Sequence, residues 1–290
     1  MELLNNYNFK SFFKLSDIYE DFDNIFFDIW GVLHEGGELY PGVRELFNKI
    51  VKSKNVRIIS NAPRLPSTIC NNLRALGLDI EEDQIFTSGL ATRIKLQNPS
   101  KYLLHSKPKI LHIGADRNLE LQSGIDLPDA ENVIDCEIIL ISAFRDVGEN
   151  INDLVHILEL GCEYEKILLC ANPDKAVVHL GQIRKCAGYF AEIYEKLGGK
   201  VIYAGKPGSL IFEESMKSVE SKNFEKTLMI GDTFYTDIKG ARNFGIKSAL
   251  VTTGNMGILI SKENDTNISN AISKICSRET YLPDYIIEMK

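Results

Sequence analysis

Short apolar runs rich in β-branched and aromatic residues recur along the chain, each separated from the next by stretches with a helical period. The runs IFF at 25–27, VRIIS at 56–60, KILHI at 109–113 and EIILIS at 137–142 read as strands. KILLCA at 166–171, KVIYAG at 200–205, TLMIG at 227–231 and IKSALVT at 246–252 continue the series. Among them lie VRELFNKIVKS, STICNNLRALG, INDLVHILELG, IRKCAGYFAEIYEKLG and SLIFEESMKSVES, amphipathic helices by pattern, several closed by Gly or followed by a new strand. Alternation of this kind predicts an α/β fold with parallel layers. The segment before Asp23 is expected to add a helix packed on that core. No internal repeat, low-complexity tract or Pro-rich linker interrupts the pattern, so a second domain is expected as an insertion.

Bulk properties narrow the partners. A chain of 290 residues suits one large or two modest domains, and 44% hydrophobic with 25% charged residues fits a buried core and excludes extensive disorder. Acidic residues exceed basic ones, net charge −7, and no Lys/Arg-rich block offers a basic stripe, which argues against a nucleic-acid partner. A small anionic substrate stays compatible, because helix termini and single lysines act locally. The cysteines at 70, 136, 162, 170, 186 and 276 form no CxxC pair and read as reduced core thiols. With no signal-like apolar segment and no run of membrane-spanning length, the expectation is a cytoplasmic protein without a membrane partner, monomer or homodimer.

Four polar clusters fall at the C-terminal ends of expected strands, where open α/β sheets bind ligands. In FFDIWGVLHEG at 26–36, Asp28 ends an apolar strand ahead of a turn at Gly31. It is either a nucleophile able to form an aspartyl-phosphate or an ordinary turn residue. In IISNAPRLPS at 58–67, Ser60 and the amides of Asn61 and Ala62, with Arg64 nearby, can cradle phosphate oxygens or simply cap the next helix. In YAGKPGSLIF at 203–212, Lys206 is a fixed cation for a dianionic substrate or a solvated surface lysine; the spacing is not that of a P-loop. In LMIGDTFYTDIKGA at 228–241, Asp232 and Asp237 suit Mg²⁺, a hard cation preferring oxygen ligands. Asp237 has an alternative as a helix cap, whereas Asp232 at an apolar strand end has no evident structural need.

Taken in this order, the clusters resemble the four motifs of the haloacid dehalogenase superfamily. GVLHEGGELYPGVRELF, the long insertion before GKP, ANPDK at 171–175 and GDTFYTDIKGARNFGI look like its class IIA branch, with its p-nitrophenyl phosphatases and NagD-like sugar or nucleotide phosphatases. The resemblance implies a three-layer, Rossmann-like parallel-sheet core from residues 1–99 and 199–290, with a smaller C2-type α/β cap at 100–198. It implies catalysis by Asp28, Ser60 and Lys206 on a small phosphorylated metabolite. Mg²⁺ would be held by Asp28, Asp232, Asp237 and the Trp30 carbonyl. Gly31, Asn61, Ala62 and Arg64 would contact substrate, and the cap loop would add Asn172, Asp174 and Lys175.

One position departs from the pattern. Two residues after the nucleophile, where phosphatases of this superfamily carry an acid that protonates the leaving oxygen, this chain has Trp30. Loss of a general acid costs on the order of 10² to 10⁴ in rate for a poor leaving group. The substrate then either carries a good leaving group or receives its proton from His34 or Glu35. The alternative is a catalytically weak or inactive phosphometabolite-binding or regulatory protein on the same fold.

Overall fold

The computed structural model describes residues 10–142, 151–179 and 182–289. They fall into two compact units. The first comprises the chain up to Ser60, Cys70–Ile85 and the chain from Phe212 onward; the second comprises Asn61–Ile69 and Phe86–Ile211.

The first unit is built on a seven-stranded sheet in the order Lys10–Lys14, Tyr285–Glu288, Lys247–Val251, Thr227–Gly231, Asn24–Phe27, Asn55–Ser60, Ile85–Thr87, the last strand entering from this unit at Ile85. The pairs from Lys10–Lys14 through Asn55–Ser60 are all parallel. Asn24–Phe27 and Thr227–Gly231 are buried along their whole length, which is why their sequences are nearly continuous in apolar residues rather than alternating. Helix Val43–Val51 turns Val43, Phe47 and Ile50 inward at helical spacing. Lys239–Phe244 stops at Gly245, whose φ of +86° lets its N–H reach back to Ala241 and Arg242.

The second unit holds a four-stranded parallel sheet in the order Lys200–Tyr203, Ile167–Cys170, Ile138–Ile141, Ile110–Ile113. Alternate residues of its strands feed two separate cores. Ile139, Ile141, Leu168 and Cys170 pack with Phe190 and Tyr194, while Ile138, Leu140, Ile167 and Leu169 pack with Leu96, Leu103 and Ala204. Period-two burial on both faces accounts for the unbroken apolar runs. This unit and the insertion expected at 100–198 overlap without coinciding, because helix Ser88–Gln97 and the strand-end residue Ala204 share its second core.

Each of the eight strands read from the apolar runs is present. Two expectations are corrected. Among its described residues, the segment before Asp23 adds an edge strand, Lys10–Lys14, paired with Tyr285–Glu288, ahead of two short helical turns, Leu15–Ile18 and Tyr19–Asp21, rather than one helix alone. Covering an edge of unpaired backbone outweighs the weak helical signal there. The helix expected across 183–198 begins only at Ala187, because Gln182–Lys185 pairs antiparallel with Ala176–His179. No helix among the described residues is long and apolar enough to cross a membrane.

Candidate active site

In the first unit, the site is made by the ends of two neighbouring parallel strands. Phe27 lies opposite Ile230, so each chain emerges from the sheet beside the other, one at Asp28 and one at Asp232. The Asp28 N–H donates to the Ile230 carbonyl at 2.9 Å, extending the ladder by one step and fixing the residue's backbone. Asp237 follows on the wide helical turn Phe234–Ile238. Each of the three aspartates offers an oxygen lying within 4.8 Å of the others, and Asp232 and Asp237 are buried.

The surroundings explain how carboxylates come this close. Gly31 has φ +78°, and a Cβ there would sit 2.2 Å from Asp232 Oδ2; at Gly254, φ +56°, it would sit 2.3 Å from the same atom. Glycine is needed at both positions for conformation and for space. The Thr253 hydroxyl donates to the Gly31 carbonyl at 2.5 Å and ties the two turns together. Asn255 donates to Asp232 Oδ2 from its backbone N–H at 2.7 Å and from Nδ2 at 2.8 Å. Asp237 Oδ2 accepts from the N–H groups of Asp232 and Thr233 at 3.2 and 3.1 Å and from the Thr233 hydroxyl at 2.8 Å, so this carboxylate also pins the loop.

Burial pushes the Asp232 carboxyl well above its usual range, and the negative charges of Asp237 and Asp28 push it further; the Asn255 bonds pull the other way. Three acidic oxygens forced together in low dielectric have an electrostatic deficit that one divalent cation would remove. An all-oxygen donor set is what a hard cation such as Mg²⁺ selects. The residues present therefore fit the ion that the motif order implied.

Trp30 is partly buried, its indole edge-on to the His34 ring with centroids 5.5 Å apart, and the Gly31 N–H donates to the His34 carbonyl at 3.0 Å. Among the described residues His34 Nδ1 is buried without a hydrogen-bond partner, and burial lowers the pKa of this imidazole. Glu35 accepts a 2.7 Å bond from the Tyr40 hydroxyl, which burial first and Glu35 second hold above its ordinary pKa.

Ser60 ends the strand Asn55–Ser60 and is buried. The residues that follow it belong to the second unit. There Asn61, Asp174 and Lys206 meet: Asn61 Nδ2 donates to Asp174 Oδ1 at 2.8 Å and to the Lys206 carbonyl at 3.2 Å, and the Lys206 N–H donates to Asn61 Oδ1 at 2.8 Å. Lys206 is only 1% exposed, so it is no solvated surface lysine. Asn172 is buried beside them, its Oδ1 accepting the Asp174 N–H at 3.1 Å. The Ala62 carbonyl accepts the Gly89 N–H at 3.2 Å.

Arg64 and Lys175 are drawn into ion pairs. Arg64 Nε lies 2.8 Å from Glu120 Oε1, and Lys175 Nζ lies 3.1 Å from Glu192 Oε2. Thr253, Gly254 and Asn255 escaped sequence reading. The available signal was their place after the apolar strand Lys247–Val251, the same strand-end setting as the other clusters.

Comparison with known proteins points to one group of hydrolases. Residues 25–126 match the family model described as haloacid dehalogenase-like hydrolase, and residues 203–271 match a second model of HAD-like hydrolases. A dihydroxyacetone phosphatase of Corynebacterium glutamicum (strain R) is 26% identical over 235 residues, covering 78% of this chain and 80% of that protein. The ribonucleotide monophosphatase NagD of Escherichia coli (strain K12) is 24% identical over 237 residues, covering 80% and 88%. A haloacid dehalogenase-like hydrolase from Brucella suis 1330 superposes with a TM-score of 0.78 at 26% identity, covering 94% of this chain and 97% of that one. The chain belongs to the haloacid dehalogenase-like hydrolases, in their class IIA branch.

Proposed function

We propose that this protein is a Mg²⁺-dependent phosphatase of a small phosphorylated metabolite, with Asp28 as nucleophile. The observation that carries the reading is the convergence of Asp28, Asp232 and Asp237 at adjacent strand ends, with Asp232 pushed above the normal carboxylate range by burial and by the other two. The curated relatives support it, being named as phosphatases of small phosphorylated compounds.

In this reading an Asp28 oxygen attacks phosphorus as the bond to the leaving oxygen breaks, giving an aspartyl-phosphate and an alkoxide or phenolate that takes its proton from water. Water then adds to phosphorus and the Asp28 carboxylate departs, releasing phosphate. Asp28, Asp232 and the Trp30 carbonyl, with Asp237 in support, would hold Mg²⁺, which would supply Lewis acidity and charge neutralisation when bound. The remaining roles follow from motif order. Ser60 and the backbone amides of Asn61 and Ala62, with Gly31, hold phosphoryl oxygens, and Lys206 offsets their charge. The inserted segment 100–198 acts as a C2-type cap, its loop residues Asn172, Asp174 and Lys175 selecting the substrate, with Arg64 as a further substrate contact.

Trp30 favours a second reading, a phosphometabolite-binding protein with little turnover, because no side-chain acid stands two residues after the nucleophile. Phosphate release from p-nitrophenyl phosphate and from a panel of alkyl phosphates, with and without Mg²⁺, separates the two. The phosphatase reading expects Mg²⁺-dependent release that Asp28→Asn abolishes, strongest on p-nitrophenyl phosphate, whose leaving group needs little protonation. No release above the Asp28→Asn control on any ester selects the binding reading. Trp30→Asp is expected to raise alkyl phosphate turnover by about 10² or more.

A further inference from the structure

The side chain of Asn61 occupies a position that its neighbours define completely. Its Oδ1 and Nδ2 face the N–H and the carbonyl of one residue, Lys206, at 2.8 and 3.2 Å, the pairing a strand neighbour would make. The second Nδ2 hydrogen goes to Asp174 Oδ1 at 2.8 Å. The orientation of the amide is fixed by chemistry: only the oxygen can accept the Lys206 N–H, and only the nitrogen can donate to a carboxylate. Asn61 is 2% exposed, so these bonds form out of water, where they are stronger and their loss costs more.

The supporting residues leave little freedom. A Cβ at Gly205 would lie 2.3 Å from Asn61 Oδ1, so this glycine is what admits the amide. The Asp174 backbone is held by its N–H to Asn172 Oδ1 at 3.1 Å and by its carbonyl, which accepts the Gly188 N–H at 3.2 Å. A Cβ at Gly188 would lie 2.1 Å from the Pro173 carbonyl oxygen, so the start of helix Ala187–Lys196 is pressed against the same loop. The Ser88 hydroxyl donates to the Ala171 carbonyl at 2.5 Å.

We infer that Asn61 is a positioning residue that couples the 171–175 loop to Lys206: the group that selects substrate and the cation that offsets its charge are set by one amide. The inference rests on the phosphatase reading for the roles of Asp174 and Lys206, but the coupling itself rests on hydrogen bonds within one unit. Displacement of Asp174 is felt at the Lys206 backbone through Asn61.

A polarity-reversal cycle tests it, using the full-length protein and p-nitrophenyl phosphate with Mg²⁺. Asn61→Asp sets a carboxylate against both Asp174 and the Lys206 carbonyl, and is expected to lower kcat about tenfold or more with KM little changed. Asp174→Asn alone retains an acceptor and changes kcat less. In the double variant, the amide now at 174 donates to the carboxylate now at 61, and kcat is expected to recover at least about fivefold over Asn61→Asp.

Thermal unfolding of the same four proteins gives a readout independent of turnover, with recovery of about 3 °C or more expected in the double variant. Strictly additive effects in both kcat and Tm overturn the coupling. So does a KM-only effect of Asn61→Asp with additive Tm, which marks simple substrate contact. If the wild-type protein shows no Mg²⁺-dependent turnover above Asp28→Asn, the phosphatase reading fails, and the Tm cycle still decides whether Asn61 couples the two segments.

Discussion

The central strands of the first unit bury polar groups at both ends, in opposite ways. Where they start, Asn24 is fully buried and fully matched. Its Nδ2 donates to the Ser221 carbonyl at 2.9 Å and to Thr227 Oγ1 at 2.8 Å, and its Oδ1 accepts from Asn55 Nδ2 at 3.1 Å. Thr227 in turn donates to the Asn223 carbonyl at 2.8 Å. Where they finish, Asp28, Asp232 and Asp237 crowd like charges within 4.8 Å. The first arrangement is neutral and closed, so it ties strands together and asks for no ligand. The second gathers like charge in a buried setting, which raises the Asp232 carboxyl and suits a cation. Burial of polar atoms does not separate function from architecture here, whereas crowding of like charge does.

The sharpest break between the two ends is expected from Asp28→Asn, which removes the nucleophile while keeping its shape. Turnover should fall by at least about 10³, equivalent to about 4 kcal/mol, with Tm unchanged or raised because a like charge has gone. A rate assay with a parallel thermal melt checks both halves; a large Tm loss would mean that Asp28 belongs to the architecture.

Next in size is Gly31→Ala. The new Cβ would meet Asp232 Oδ2 at 2.2 Å on a residue with φ +78°, so about 3 kcal/mol of destabilisation is expected together with weakened Mg²⁺ affinity. Urea unfolding and a Mg²⁺ titration would show the paired loss. Asn24→Ala should cost about 2 kcal/mol by removing the donor to the Ser221 carbonyl and Thr227 Oγ1 and the acceptor of the Asn55 amide, yet leave kcat at moderate temperature within about twofold of the parent. Loss of activity without loss of stability in that variant would erase the distinction between the ends.

The same contrast governs what could be read along the chain. Asp232 stood out because a charged residue after an apolar strand end has no evident structural need, whereas Asp28 stayed open between nucleophile and turn residue until the order of the clusters was weighed. Asn255 was not, since Thr-Thr-Gly-Asn after a strand reads as an ordinary turn; its two bonds to Asp232 exist only once the strands lie side by side. Long-range polar pairs were equally hidden. Arg64 and Glu120 are far apart in sequence, as are Asn61 and Lys206, and spacing carries no information on which long-range partners meet. The strand Lys10–Lys14 escaped because its pairing is set by the far terminus, Tyr285–Glu288, rather than by its own pattern.

The smallest expected effect separates the two ends most cleanly, because only one of them titrates. Asp232 has a folded-state pKa raised above its ordinary 3.8, so across the window from there upward the folded protein binds more protons than the unfolded chain. Metal-free stability should therefore fall as pH rises through that window. Mg²⁺ binds the deprotonated carboxylates, so its stabilising effect should grow over the same range. At ten times its dissociation constant the gain is about 1.4 kcal/mol, a shift of roughly 2–3 °C. Thermal melts at several pH values, with and without Mg²⁺, measure it directly. Asp232→Asn should flatten both the metal-free slope and the Mg²⁺ shift, whereas Asn24→Ala should lower every curve by the same amount without changing its shape, since an amide has no proton to lose. A Mg²⁺ shift that survives Asp232→Asn, or that ignores pH, would place the cation elsewhere and leave the crowded carboxylates without an explanation.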